Sequence, residues 1–170
     1  MMIEKEKMVQ VLLYIVDEVG SVDFHKIFKI LYFAEQKHIV RYGSPIIGDS
    51  FIKMDFGPVP SHVRDFFNYD KEGNLKNFEI NEYIVSALVA PDLEEIAESE
   101  IECLKESIIE NKNLNFNELK LKSHQAAWNS VPMAYPIRYS DIALEGGANK
   151  EMLKYLENYF ENKAILEEWH

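Results

Sequence analysis

The chain reads as an α+β protein, mostly helical, with a small antiparallel sheet. Three observations carry that reading. Apolar residues recur at three- and four-residue spacing near both ends and again past the middle of the chain, the period of a helix with one buried face. Two stretches, Ser50 to Phe56 and Phe78 to Val89, are instead dense in aromatic and branched residues and are bounded by Gly and Pro, as strands are. Finally, 170 residues with 47% hydrophobic content are enough for one sizeable core and too few to expect two, so residues 1–170 are expected to form a single domain.

The elements follow in order. Met8, Leu12, Ile15, Val16 and Val19 define a first helix, and Gly20 stands where a helix end takes a left-handed residue. Ser21 or Asp23 can cap a second, whose Phe24, Ile27, Phe28, Leu31 and Ala34 share a stripe and which ends before Gly43. Turn residues Gly43-Ser44-Pro45 and Gly48-Asp49 lead to the Ser50 to Phe56 strand, which Gly57-Pro58 is expected to end. Pro60 or Ser61 opens a short helix carrying Val63, Phe66 and Phe67, and Asp70-Lys71-Glu72-Gly73-Asn74 is expected to break it. Strand residues between Phe78 and Val89 are expected to pair with Ser50 to Phe56.

Asp92, after Pro91, is placed as the N-cap of an acidic helix striped by Leu93, Ala97, Ile101, Leu104 and Ile108. A further helical region spans Phe116 to Asn129, with Ser123 a candidate break, and Val131-Pro132 and Tyr135-Pro136 impose extended or turned backbone after it. A long terminal helix from Asn149 to Trp169 follows the pair Gly146-Gly147.

Charge narrows the partners. The net charge is −11, and duplex nucleic acid repels an acidic surface, so nucleic acid is a disfavoured partner. Asp92 to Lys112 concentrates eight acids against two lysines, which reads either as a solvated helix face or as a docking face for a basic protein. No apolar run approaches the roughly 18 residues of a membrane span, and the start Met1-Met2-Ile3-Glu4 lacks the cationic and apolar regions of a leader; a cytoplasmic protein is expected. Cys103 is the one cysteine, read as a small buried hydrophobe on a helix.

Sites of chemistry are sparse. His25, His38, His62 and His170 have no metal-ligand spacing, and there is no paired-cysteine motif, His-Glu-x-x-His helix or glycine-rich phosphate loop, so no metal or cofactor is expected. His124 and Trp128 are four residues apart and would share a face of a continuous helix. They read as a structural pair, since no nucleophile and orienting acid accompany the histidine in sequence.

Three short motifs, in two separated regions of the chain, are more specific. Lys29-Ile30-Leu31-Tyr32-Phe33-Ala34 on the second helix is followed by Phe51-Ile52-Lys53-Met54-Asp55-Phe56-Gly57-Pro58-Val59, and then by Ser123-His124-Gln125-Ala126-Ala127-Trp128. In this order they resemble the Panacea domain, the SocA-like antitoxin family of bacterial and phage toxin–antitoxin pairs. Members often carry an aromatic residue where this sequence has Met54. The resemblance implies a non-enzymatic protein that neutralises a cognate toxin, encoded by the adjacent gene, by binding it directly.

The partner-binding surface is expected on the second helix and the Phe56 turn, through Tyr32, Lys53, Asp55, Phe56, Gly57 and Pro58. Tyr32 is expected at the surface because its hydroxyl requires a polar neighbour. Two alternatives stand beside this reading. One is delivery of a bound partner to a protease. The other is DNA binding: the order helix, helix, strand, helix, strand pair has winged-helix-like elements, and Lys26, Lys29, Lys37 and Arg41 make the second helix mildly basic.

Overall fold

A computed structural model describes residues 3–168, the side chain of Leu75 excepted. Trp169, assigned by its spacing to the terminal helix, and His170 lie outside the described residues. Helix α1 (Lys5–Val19) buries every residue from Met8 to Val16 and closes on Gly20, whose amide donates to the Val16 carbonyl. Strand β1 (Val22–Asp23) leads into α2 (Phe24–Tyr42), capped by the Asp23 carboxylate on the Lys26 amide and ended by Gly43 in the left-handed conformation.

Helix α2 is the centre of the molecule. Every residue from Ile27 to Glu35 is buried, because α1, the long acidic helix α5 (Glu98–Asn111), a β-hairpin and the short helix α8 (Tyr139–Glu145) each cover part of it. A helix enclosed on all sides has no solvent face for its polar residues. Glu35 therefore turns inward and accepts the amides of Ile46, Ile47 and Gly48, fixing the loop after the helix.

The hairpin is β2 (Phe51–Met54) and β3 (Gly57–Pro60), paired antiparallel with Lys53 opposite Pro58 and Phe51 opposite Pro60. The expectation that Gly57-Pro58 ends the strand is corrected: those residues begin its partner. Two prolines fit in β3 because they face positions whose backbone bonds point the other way. Lys53 donates its amide to the Tyr135 carbonyl and accepts from the Ala134 amide, and the Phe51 carbonyl accepts from Ile137. No ladder bond is lost to either proline. Residues 134–137 thereby run along the outer edge of β2 as a strap.

Helix α3 (Ser61–Tyr69) starts on the buried Asp49 carboxylate, which accepts the His62 and Val63 amides. The helix breaks at Asp70, as expected, but the residues after the break start a further helix, α4 (Lys71–Asn77), capped by Asp70 on the Gly73 amide. Strands β4 (Phe78–Asn81) and β5 (Ile84–Ala87) form a second hairpin, and β1 adds to β5 in the order β1-β5-β4. The fold class is as the sequence predicts, α+β with small antiparallel sheets, but the two hairpins do not pair with each other. Each strand from the first hairpin already has its neighbours in sequence, and the strap takes the free edge.

Asp92 caps only a 3-10 turn, Leu93–Glu95, and α5 begins at Glu98. Helices α6 (Phe116–Ser123) and α7 (Ala126–Asn129) are separated at His124, α8 follows the strap, and α9 (Lys150–Glu168) closes the chain, packing on α8 through its first half. None of the described helices is long and apolar enough to cross a membrane.

Candidate functional site

The hairpin tip is where the separated motifs meet. Trp128 of α7 donates Nε1–H to the Met54 carbonyl at 3.0 Å. His124 bonds the backbone of Asp55 and stacks on Trp128 with ring centroids 4.0 Å apart and planes 9° from parallel. The helix between them is broken, and the pair meets because α7 turns back, not because it continues α6. Burial and the charges of Lys120, Lys29 and Lys53 lower the His124 titration, so the ring is neutral and serves as a hydrogen-bonded brace. The tip is held from two sides.

From below, Lys29 of α2 supports it. Its side chain is 1% exposed and its ammonium donates to the Pro58 carbonyl at 2.8 Å. Burial without a carboxylate lowers its titration to about 7. Gly57 makes room for it: φ is +115°, and a Cβ there would stand 2.5 Å from both Lys29 Cε and Ser123 Oγ. One residue of each motif, Lys29, Gly57 and Ser123, thus shares a single contact that admits no side chain at the middle position.

The residues expected to bind a partner separate into two groups. Tyr32 is fully buried, edge-on to Phe51 at 5.2 Å, and donates its hydroxyl to Glu145 at 3.1 Å; the expectation of an exposed Tyr32 is corrected, because α8 brings the polar neighbour inside. Gly57 and Pro58 are buried too. Lys53 is half-buried, with its ammonium on the Val131 carbonyl at 3.0 Å and 3.9 Å from the centre of a Trp128 ring. Of the expected residues, Asp55 and Phe56 alone stand open at the tip, Phe56 with 54% of its surface exposed.

Phe56 forms one lip of an apolar groove of about 580 Å³. Phe24 and Phe28 from α2, Met54 from β2, Tyr83 from the β4–β5 turn and Phe116 from α6 contribute the other apolar walls. Phe116 meets Phe56 edge-on at 5.2 Å and stacks on His25 at 4.0 Å. His25 donates to the Phe56 carbonyl at 3.2 Å, and burial, with a smaller contribution from Lys29, lowers its titration to about 4. Sequence reasoning missed Phe24, His25, Tyr83 and Phe116, which lie far apart in the chain. Phe24 falls on the apolar stripe of α2 and reads as core, and nothing local to Tyr83 or Phe116 marks them as walls of one groove.

The acidic segment, by contrast, is largely engaged within the chain. Glu106 of α5 reaches Arg41 at 2.5 Å, Glu102 meets Arg41 at 3.7 Å, Glu110 meets Lys37 at 2.9 Å, and Glu100 meets Lys7 at 2.5 Å.

A family model described as "Antitoxin SocA-like, Panacea domain" matches residues 27–129, more than half of the chain and a span containing all three converging motifs. The chain belongs to this SocA-like antitoxin family. No match was found among curated proteins or among solved structures. The Panacea match begins inside α2 and ends with α7, so α1, the strap, α8 and α9 lie outside it. Yet Glu145 of α8 binds Tyr32, Gln36 and the Ala127 amide, tying the Panacea segment to the chain that follows.

Proposed function

We propose that this protein is the antitoxin of a toxin–antitoxin pair, that its toxin is encoded by the adjacent gene, and that it neutralises the toxin in the cytoplasm by direct, non-catalytic binding. Membership of the antitoxin family supports the role. The observation that carries the binding surface is the groove at the hairpin tip: exposed Phe56, Met54, Tyr83 and Phe116 surround one concave apolar site, and such aromatic clusters are the anchors of protein interfaces. The tip is braced by His124, Trp128 and Lys29, so a partner meets a surface that needs little ordering on binding.

DNA binding is less well supported, because the cations that made α2 basic are occupied: Lys37 and Arg41 pair with α5, and Lys26 donates to the Lys112 carbonyl at 2.7 Å.

Expression of the adjacent gene alone should arrest growth of the host, and co-expression of this chain should restore it and yield a complex that co-purifies. A neighbour harmless in every host tried would remove the antitoxin reading. Rescue accompanied by loss of the toxin protein, with no complex, would replace masking with delivery to a protease.

A further inference from the structure

The groove is apolar but not neutral, and its local charge opposes that of the molecule. The whole chain carries −11. Lys29 and Arg64 both line the groove, against a single carboxylate, Asp23. That carboxylate is already engaged in capping α2 through the Lys26 amide. Lys29 has a carbonyl, not a carboxylate, as its partner, and Arg64 meets its own neighbour Asp65 through Nε at 3.2 Å. Lys120 stands over the outer face of the Phe56 ring, 5.5 Å from its centre. A buried cation without a counterion is costly to keep and is relieved by an incoming anion.

Resting on the reading that the toxin docks here, we propose that the groove receives an apolar toxin segment that presents a carboxylate, from Asp, Glu or the chain terminus, to Lys29 and Arg64. The aromatic walls take the apolar part and the two cations take the acid. A basic toxin surface is the natural match for the rest of this acidic chain, so the acid at the groove sets register, since a purely basic or purely apolar segment would leave Lys29 unpaired.

The titratable and charged groups around Lys29 are His25 and His124, whose titrations its charge lowers, and Asp23 and Arg64, which line the same groove from before α2 and from α3. Both histidines are already neutral above pH 7. Lys29, at about 7 in the free protein, is the group that changes charge at that pH. Binding a carboxylate favours the ammonium, so above pH 7 the complex must take up a proton. Toxin affinity should fall by roughly tenfold per unit between pH 7 and 9.

The full chain would be titrated with the purified adjacent-gene product by calorimetry from pH 6 to 9, alongside the Lys29→Met and Arg64→Gln variants. Separately, it would be titrated with 3-phenylpropionate and with 3-phenylpropionamide by NMR. The expected result is a pH slope that Lys29→Met flattens, affinity reduced at least tenfold at pH 6 by Lys29→Met and measurably by Arg64→Gln, and binding of the acid at least tenfold tighter than the amide, with shifts at Phe24, Phe28 and Phe56. If Lys29→Met, folded as judged by melting, and Arg64→Gln both bind the toxin as tightly as the unaltered chain and with the same pH profile, or if the amide binds as well as the acid, the carboxylate proposal is overturned and the groove remains as a docking site. If Phe56→Ala leaves toxin affinity unchanged, the docking reading itself fails.

Discussion

Lys29 and Glu35 lie six residues apart on one enclosed helix, and removal from water moves their titrations in opposite directions. Glu35 rises to about 7 despite three amide donors, and Lys29 falls to about 7. The raised carboxyl contributes stability that is complete below its ordinary value near 4.5 and is lost as pH rises through 7. The lowered ammonium contributes stability that is complete above its ordinary value near 10.5 and is lost as pH falls through 7. These two groups therefore give a shallow minimum in melting temperature near pH 7, visible in a series of melts from pH 5 to 10. Lys29→Met should flatten the alkaline limb and Glu35→Gln the acidic one. The buried tyrosine and the exposed phenylalanine make a second contrast. Tyr32→Ala should cost about 3–5 kcal/mol of stability, as truncating a buried aromatic does, and so report on folding. Phe56→Ala should cost about 1 kcal/mol of stability or less while weakening toxin binding by about 2 kcal/mol, roughly thirtyfold.

At the level of elements, α7 and the first hairpin act as one piece, joined by the Trp128 indole, the His124 stack and the ammonium of Lys53. Replacing Trp128 by Phe keeps an aromatic ring but removes the solvent-exposed hydrogen bond to the Met54 carbonyl, a loss of about 0.5–1.5 kcal/mol. The same change should raise amide exchange at residues 54–57, where hydrogen-exchange measurements would locate it. Much of this was legible beforehand: Gly20, Asp23 and Gly43 marked helix ends by their chemistry, and Ser123 marked the break before α7. The hairpin partner was hidden by Pro58 and Pro60, which argue against a strand unless the outward direction of the facing bonds is known. Tyr32 and Lys29 were misplaced for a related reason. Helical periodicity assigns one buried face, and nothing local shows that a helix is covered all round. The groove itself was illegible, because its walls come from six elements and two hairpin turns whose proximity only the tertiary structure sets.

For the molecule as a whole, charge is arranged, not merely abundant. The acids of α5 pair with the cations of α2, the groove keeps cations of its own, and the buried acids Glu35 and Asp49 bond backbone amides inside the fold. A promoter fragment at near-physiological salt should accordingly bind no more tightly than the nonspecific range of about 10⁻⁴ to 10⁻⁶ M, measurable by mobility shift or anisotropy; nanomolar, sequence-dependent retention would reverse that ranking.

The strap at 134–137 carries a consequence of another kind. It lies beyond the family match, which ends at residue 129, and it occupies the backbone donors and acceptors along the outer side of β2. A fragment trimmed to the match would present Phe51, Ile52 and Lys53 as an open edge, the template on which extended segments of other chains assemble. The residues after the family segment therefore cover, beside the hairpin tip, a strand edge that would otherwise be open to self-association.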